Sequence, residues 1–202
     1  MKIQFPNIAI VGTGAMGRGI AQIGAQAGSQ VFLLDANPGA ADAARAALQE
    51  QWNKLVAKGR IEADQATALT ARLHPVTTVA QLAACDLVVE AIVERLDAKQ
   101  ALFVELEGVV RPDAVLATNT SSLSVTAIGA SLKRPERLAG FHFFNPVPLM
   151  KVVEVIAGLK TDPSICTALA AYAKAMGHTP VQAQDTPGFI VNHAGRGFGT
   201  EA

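Results

Sequence analysis

The segment Gly140-Phe141-His142-Phe143-Phe144-Asn145-Pro146 sets one histidine among three phenylalanines, and Glu154 follows twelve residues later in an apolar run. A histidine in apolar surroundings is most often a satisfied core residue. A carboxylate within an apolar strand is costly without a partner, and His142 is the economical one. An imidazole held by a carboxylate has its tautomer fixed and serves as a general base.

A second constellation lies near the N-terminus, where Gly12-Thr13-Gly14-Ala15-Met16-Gly17 follows a short β-branched run and opens a helical pattern. In that context Gly12 permits a tight turn, Gly14 lets backbone approach a pyrophosphate, and Gly17 allows close helix packing. The helix N-terminus then directs its positive end at the phosphates. Asp35 lies 18 residues past Gly17, placed to accept hydrogen bonds from a ribose and to repel a 2′-phosphate. With Ala36 and Asn37 following it, and no cation, NAD is favoured over NADP. A base beside a nicotinamide cofactor is the chemistry of alcohol oxidation by hydride transfer.

The third cluster, Asn119-Thr120-Ser121-Ser122, falls just past an apolar strand, where open α/β sheets bind ligands. It reads equally as a capped helix start, with Ser122 or Ser124 as the cap.

Apolar spacing shows which elements must position these groups. Residues 7–11 form a strand. Ile20, Ile23, Gly24 and Ala27 make a helical face ending at Gly28, and residues 31–34 form a second strand. Asn37-Pro38 predicts the start of a long helix carrying Leu48, Trp52, Leu55 and Val56. A second helix after Ile61, with Ala66, Leu69 and Leu73, makes an inserted hairpin, which either touches a ligand or is padding. Strands at residues 74–77, 87–91, 114–117, 138–144 and 152–156 alternate with helices. The fold class is α/β: a Rossmann-type, doubly wound, mostly parallel sheet covered on both faces. A helix from Asp162-Pro163 to Gly177 leads to a last strand at residues 179–182, whose Pro180 suits a strand start or a sheet edge. Pro187-Gly188 opens a final helix, with residues 189–191 expected to expose apolar surface.

Half of the 202 residues are hydrophobic and 17% are charged, which excludes a disordered chain. Lys plus Arg and Asp plus Glu balance at 17 each, so no net charge steers the chain to nucleic acid, and a small-molecule partner is expected. Asp86, Glu90 and Glu94 interrupt the most apolar stretch well short of a membrane span. Without a signal-peptide core, a cytoplasmic location is expected. Cys85 and Cys166 are too far apart for a metal knuckle and read as reduced core residues; no metal is expected.

Taken together, Gly12-x-Gly14-x-x-Gly17, Val88-Val89-Glu90-Ala91, Asn119-Thr120-Ser121-Ser122, His142-Phe143-Phe144-Asn145-Pro146-Val147-Pro148 and Asp185-Thr186-Pro187-Gly188-Phe189-Ile190-Val191-Asn192 closely resemble the L-3-hydroxyacyl-CoA dehydrogenases, over almost the whole chain. The resemblance implies NAD-dependent oxidation of the 3-hydroxyl of an acyl-CoA thioester to a 3-ketoacyl-CoA, as in fatty acid β-oxidation. It implies His142 as base, Glu154 as its electrostatic partner, Ser121 and Asn192 as holders of the substrate hydroxyl and carbonyl, and Asn145 as a support of the same site. Glu94 and Lys99 match positions lining the cofactor cleft, with Met16 and Asn119 beside them. The hairpin would lean over the CoA, with Lys54 and Lys58 either contacting its phosphates or forming a solvated face.

After Asn192 the chain departs from the common pattern, with His193-Ala194-Gly195-Arg196-Gly197-Phe198-Gly199. The acyl preference therefore stays open between 3-hydroxyadipyl-CoA and 3-hydroxybutyryl-CoA types. Residues 1–186 are expected to form the NAD-binding domain, and 187–202 the start of a helical C-terminal domain otherwise missing from the chain. That domain closes the cleft and forms a homodimer in the family. A reading from another class is a non-catalytic NAD-binding or structural relative, against which His142 and Glu154 argue.

Overall fold

The structure is a computed structural model that describes the backbone of residues 4–200 and the side chains of residues 4–195. Residues 1–3 and 201–202, the outer ends of the expected spans 1–186 and 187–202, lie outside the described residues, as do the side chains of Arg196 and Phe198. The first βαβ unit comprises β1 (Asn7–Val11), α1 (Ala15–Gln26) and β2 (Gln30–Leu34). The hairpin of α2 (Ala40–Ala57) and α3 (Ala63–Ala71) precedes β3 (Leu73–Pro75). Then come β4 (Leu87–Glu90), α4 (Leu96–Val109), β5 (Val115–Thr118), α5 (Val125–Gly129) and β6 (Leu138–Phe143). The remaining elements are β7 (Val152–Ala157), α6 (Pro163–Ala175), β8 (Thr179–Gln184) and α7 (Val191–Thr200).

The eight strands form one sheet in the order β3-β2-β1-β4-β5-β6-β7-β8. All neighbours are parallel except β6 and β7. Strand alternation feeds two cores, one on each face of the sheet. Ile8, Ile10, Leu87 and Val89 pack with α1, α2 and α6, whereas Ala9, Val11, Val88 and Leu116 pack with α4 and α5. A fully buried side chain such as Ile8 or Leu87 contributes roughly 1.5–3 kcal/mol, which is why these short strands carry no polar alternation. Cys85 and Cys166 are free thiols in these cores.

Several boundaries differ from the sequence expectation. The long helix begins at Ala40 instead of at Asn37-Pro38, because the Asn37 backbone N–H and Nδ2 both donate to Asp35 Oδ1, at 2.9 and 3.2 Å. Its side chain is thereby spent outside the helix. Leu73, expected in the second hairpin helix, starts β3 opposite Val31, where its side chain joins the core. Phe189 is buried at 4% exposure, leaving Ile190 and Val191 as the exposed apolar pair of that segment. Pro180 does lie in the edge strand, where a missing N–H is tolerated.

Candidate active site

The strand order reverses between β1 and β4, and the carboxyl ends of β1, β4, β5 and β6 open onto one cleft of about 450 Å³. Met16, Glu94, Asn119, Ser121, His142 and Asn192 are among its lining residues, and Asn145 joins them.

At the β1 end, Gly12 turns the chain at φ +92°, where a Cβ would stand 2.5 Å from the Ala91 carbonyl oxygen. A Cβ on Gly17 would lie 1.8 Å from the Gly12 carbonyl oxygen, so only glycine lets α1 close onto the turn. Gly14 differs. A Cβ there meets nothing within 4 Å, which leaves open space over the backbone that precedes the helix. The first turn of α1 has neither a side-chain cap nor an acidic residue, so its N–H groups and positive dipole end are available to an anion. Asp35, at the end of β2, is fixed by Thr13: its Oδ2 accepts from the Thr13 backbone N–H at 2.7 Å and from Thr13 Oγ1 at 2.9 Å. Burial pushes this carboxyl up, but hydrogen bonds from Asn37 and Thr13 outweigh it and hold it below the usual range. The turn, the open backbone at Gly14 and the ionised Asp35 fit a dinucleotide whose adenosine ribose carries a free 2′-hydroxyl.

The β4 and β5 ends are joined by buried charge. Lys99 is 1% exposed, with Nζ 2.5 Å from Glu90 Oε1 and 3.2 Å from Glu94 Oε2. Glu90, itself fully buried, also accepts from the Ile92 N–H and from Thr118 Oγ1, both at 2.7 Å. Glu94 Oε1 gathers the following loop, accepting from Thr120 Oγ1 at 2.6 Å, the Ser121 N–H at 2.8 Å and the Ser122 N–H at 3.2 Å. Burial raises the Glu94 carboxyl, yet the Thr120 and Ser121 bonds and the Lys99 charge overcome it and bring its pKa down to about 2. Asn119 Oδ1 accepts from the Phe143 N–H at 2.9 Å, tying this loop to β6.

At the β6 end the register of the antiparallel pair sets His142 opposite Glu154. His142 Nδ1 lies 2.7 Å from Glu154 Oε2, and the rings of Phe144 and Phe189 stand 4.5 and 5.7 Å from the imidazole. With Nδ1 donating to Glu154, the Nε2 lone pair is the one left for the cleft. The second carboxylate oxygen accepts from the Ile190 and Val191 N–H groups, both at 2.9 Å, and so holds the entry to α7. Asn192, one residue further, donates from Nδ2 to the Ser121 carbonyl at 3.1 Å.

Of the residues singled out in the sequence, Lys99 stands behind Glu94 and does not line the cleft. Lys54 and Lys58 are exposed on the hairpin, Lys54 paired with Glu50 at 2.7 Å. Ser124, the alternative cap, does cap α5, accepting from the Ala127 N–H. No role in the site followed from the sequence for Glu90, Thr13, Phe189 or Asp185, although all four lie within its motifs. For Glu90 a signal was present, because a charge in the run Leu87–Glu90 demands a partner as much as Glu154 does. Among the described residues no group of three or more His, Cys, Asp or Glu could hold a metal ion, and no helix is long and apolar enough to cross a membrane.

Fold and cleft together define a class, the Rossmann-type domain that binds a nicotinamide dinucleotide. The family follows from comparison: the profile of the 3-hydroxyacyl-CoA dehydrogenase NAD-binding domain matches residues 7–186, and the chain belongs to that family, with NAD as its cofactor. The 3-hydroxyadipyl-CoA dehydrogenase of Escherichia coli K12 is 45% identical over 202 residues, all of this chain and 42% of that protein. A probable 3-hydroxybutyryl-CoA dehydrogenase of Deinococcus radiodurans is 40% identical over 183 residues, 91% of this chain and 66% of its own length. The crystal structure of a 3-hydroxybutyryl-CoA dehydrogenase from E. coli K12 superposes with a TM-score of 0.95 at 44% identity, covering 98% of this chain and 42% of that one. The chain thus spans about two fifths of the length of its E. coli relatives.

Proposed function

We propose that the protein carrying this chain oxidises the 3-hydroxyl of an L-3-hydroxyacyl-CoA to the 3-ketone. The observation that carries this reading is the 2.7 Å pair of His142 Nδ1 and Glu154 Oε2, buried at the wall of the cleft that Met16, within the glycine motif at the start of α1, also lines. NAD, when bound, supplies the acceptor for the hydride from C3. His142 Nε2 takes the hydroxyl proton as the C3–O double bond forms, and Glu154 holds the imidazole ring in place as it gains positive charge. Ser121 and Asn192 hold the substrate oxygens, with Asn145 beside them, while Gly12, Gly14, Met16, Gly17, Asp35, Glu94 and Asn119 hold the cofactor. Lys99 keeps Glu94 ionised and in place. The hairpin lysines Lys54 and Lys58 offer cations to the CoA phosphates.

The identities to 3-hydroxyadipyl-CoA and 3-hydroxybutyryl-CoA dehydrogenases support a short acyl chain. A homodimer, which the family resemblance implies, and a cytoplasmic location, which the N-terminal sequence suggests, complete the proposal, and sedimentation and fractionation would test them. Oxidation of NADH by purified full-length protein with acetoacetyl-CoA tests the activity. Turnover that disappears in His142→Ala while NADH still binds is the expected result; NADH binding without any turnover in the parent protein would leave only a binding module.

A further inference from the structure

Asp185 belongs to the 185–192 motif, yet it lines no part of the cleft and has no place in the chemistry above. It is the first residue after β8, and its carboxylate reaches across to the start of α5. Oδ2 accepts from Ser124 Oγ at 2.7 Å and from the Thr126 N–H at 2.8 Å, and Oδ1 accepts from the Val125 N–H at 2.9 Å. These partners lie 59 to 61 residues away in sequence. Three bonds to one ionised group, with sharp directions, make a stiff joint.

The joint closes a ring of contacts. From Asp185 the chain runs through the turn at Gly188 to Asn192, whose Nδ2 donates to the Ser121 carbonyl. From Ser121 it runs three residues to Ser124 and back to the Asp185 carboxylate. Ser121 and Asn192 thus sit on two short segments whose separation is set at one end by their own contact and at the other by Asp185. Toward its beginning the Ser121 segment is tied by the Asn119 bond to Phe143 and by Glu94 Oε1, which accepts from the Ser121 N–H at 2.8 Å and from the Ser121 hydroxyl at 3.3 Å. Its far end is what Asp185 fixes.

From this geometry we propose that Asp185 is a positioning residue that acts through Ser121, setting its hydroxyl against Asn192 at the spacing the substrate needs. The inference rests on the proposed function, since it gives Ser121 a substrate to hold. Asp185→Asn keeps one acceptor oxygen and turns an amide donor toward donors, which loosens the joint without removing bulk. Misplacement of a substrate-holding group by about 1 Å costs on the order of a hundredfold in rate.

The test is a double-mutant cycle in full-length protein, using acetoacetyl-CoA and NADH. Asp185→Asn lowers kcat tenfold or more, leaves the Kd for NADH within about twofold, and adds no further loss in a Ser121→Ala background. Losses that multiply in the double variant, or wild-type kcat in Asp185→Asn, overturn the proposal. A parent protein without turnover instead defeats the functional reading. In that event, or if Asp185→Asn does not fold, amide exchange at residues 121–127 of Ser124→Ala decides. That variant keeps the two backbone arms and removes the Ser124 Oγ arm, together with the cap that Ser124 Oγ gives the Ala127 N–H. Exchange that speeds at Val125 and Thr126, the amides Asp185 holds, supports the joint, and exchange that speeds only at Ala127 or nowhere overturns it.

Discussion

His142 and Glu154 are direct partners across the antiparallel ladder of β6 and β7, and the two oxygens of Glu154 serve different masters. One orients the imidazole, and the other receives the N–H groups of Ile190 and Val191 at the entry to α7. The His142 imidazole and the entry to α7 are therefore held by one carboxylate. His142→Ala is expected to lower kcat by on the order of 10² to 10⁴, with NADH affinity nearly unchanged. Glu154→Gln is expected to lower both kcat and the unfolding midpoint, because its amide offers one acceptor where the structure uses two. A Glu154→Gln protein with wild-type stability and reduced kcat would show that the α7 contact carries no load.

The parallel half of the fold was legible because buried strands such as Asn7–Val11 and Leu87–Glu90 are short, apolar and separated by glycine and helix signals. The reversal at β7 was not drawn from the sequence, although its sign was present. Only eight residues separate β6 from β7, fewer than the dozen or so a parallel crossover needs. In the site, the His142–Glu154 pair was readable because an isolated charge in an apolar strand demands a partner. The Asp185 bonds to Ser124, Val125 and Thr126 were not, since they join a strand end to the start of α5 some sixty residues away and two of the three come from backbone N–H groups that leave no mark in residue type. The start of α2 misled for a related reason: Asn37 has the chemistry of a cap but finds Asp35 first.

Asp35 holds Thr13 and is also the charge proposed to meet the nucleotide ribose, so its removal has two expected effects that substitution can separate. Asp35→Ala is expected to weaken NAD by roughly ten- to a hundredfold, the worth of about 1.5–3 kcal/mol for a charge-assisted hydrogen bond. Asp35→Asn retains an acceptor for Thr13 while losing the charge, so its preference for NAD over NADP narrows with less loss of NAD affinity. Titration calorimetry with both cofactors measures the two ratios. Equal binding of NAD and NADP by the unmodified protein would show that the carboxylate does not select the cofactor.

Glu94 gives the loop at Ser121 a defined pH dependence. Its carboxyl titrates at about 2 in the folded protein against an ordinary value of 4.5, so its contribution to stability is fully present above the ordinary value. That contribution is lost as pH falls through about 2. In urea unfolding the gap between wild type and Glu94→Gln should be constant at neutral pH, shrink below about pH 4.5, and close near pH 2. Glu94 is 37% exposed, so added salt should also narrow the gap. A gap that widens on acidification would contradict this account of the loop.

Lys99 and Glu90 test the buried side of the same network. Both are removed from water, at 1% and 0% exposure, and Glu90 keeps two further donors, the Ile92 N–H and Thr118 Oγ1. Lys99→Met leaves a buried carboxylate without its cation, a change that costs about 3–5 kcal/mol where one partner of a buried pair is removed. Glu90→Gln alone strands the ammonium, but Glu94 remains 3.2 Å from it, so the smaller loss is expected there. In Lys99→Met with Glu90→Gln the buried pair carries no charge, and the carboxamide oxygen still accepts from the Ile92 N–H while its NH2 donates to the Thr118 hydroxyl, which can turn to accept. The double variant should accordingly be more stable than Lys99→Met alone, by urea unfolding at neutral pH. If it is instead the less stable of the two, Glu90 draws its compensation from the neutral donors and Lys99 serves only Glu94.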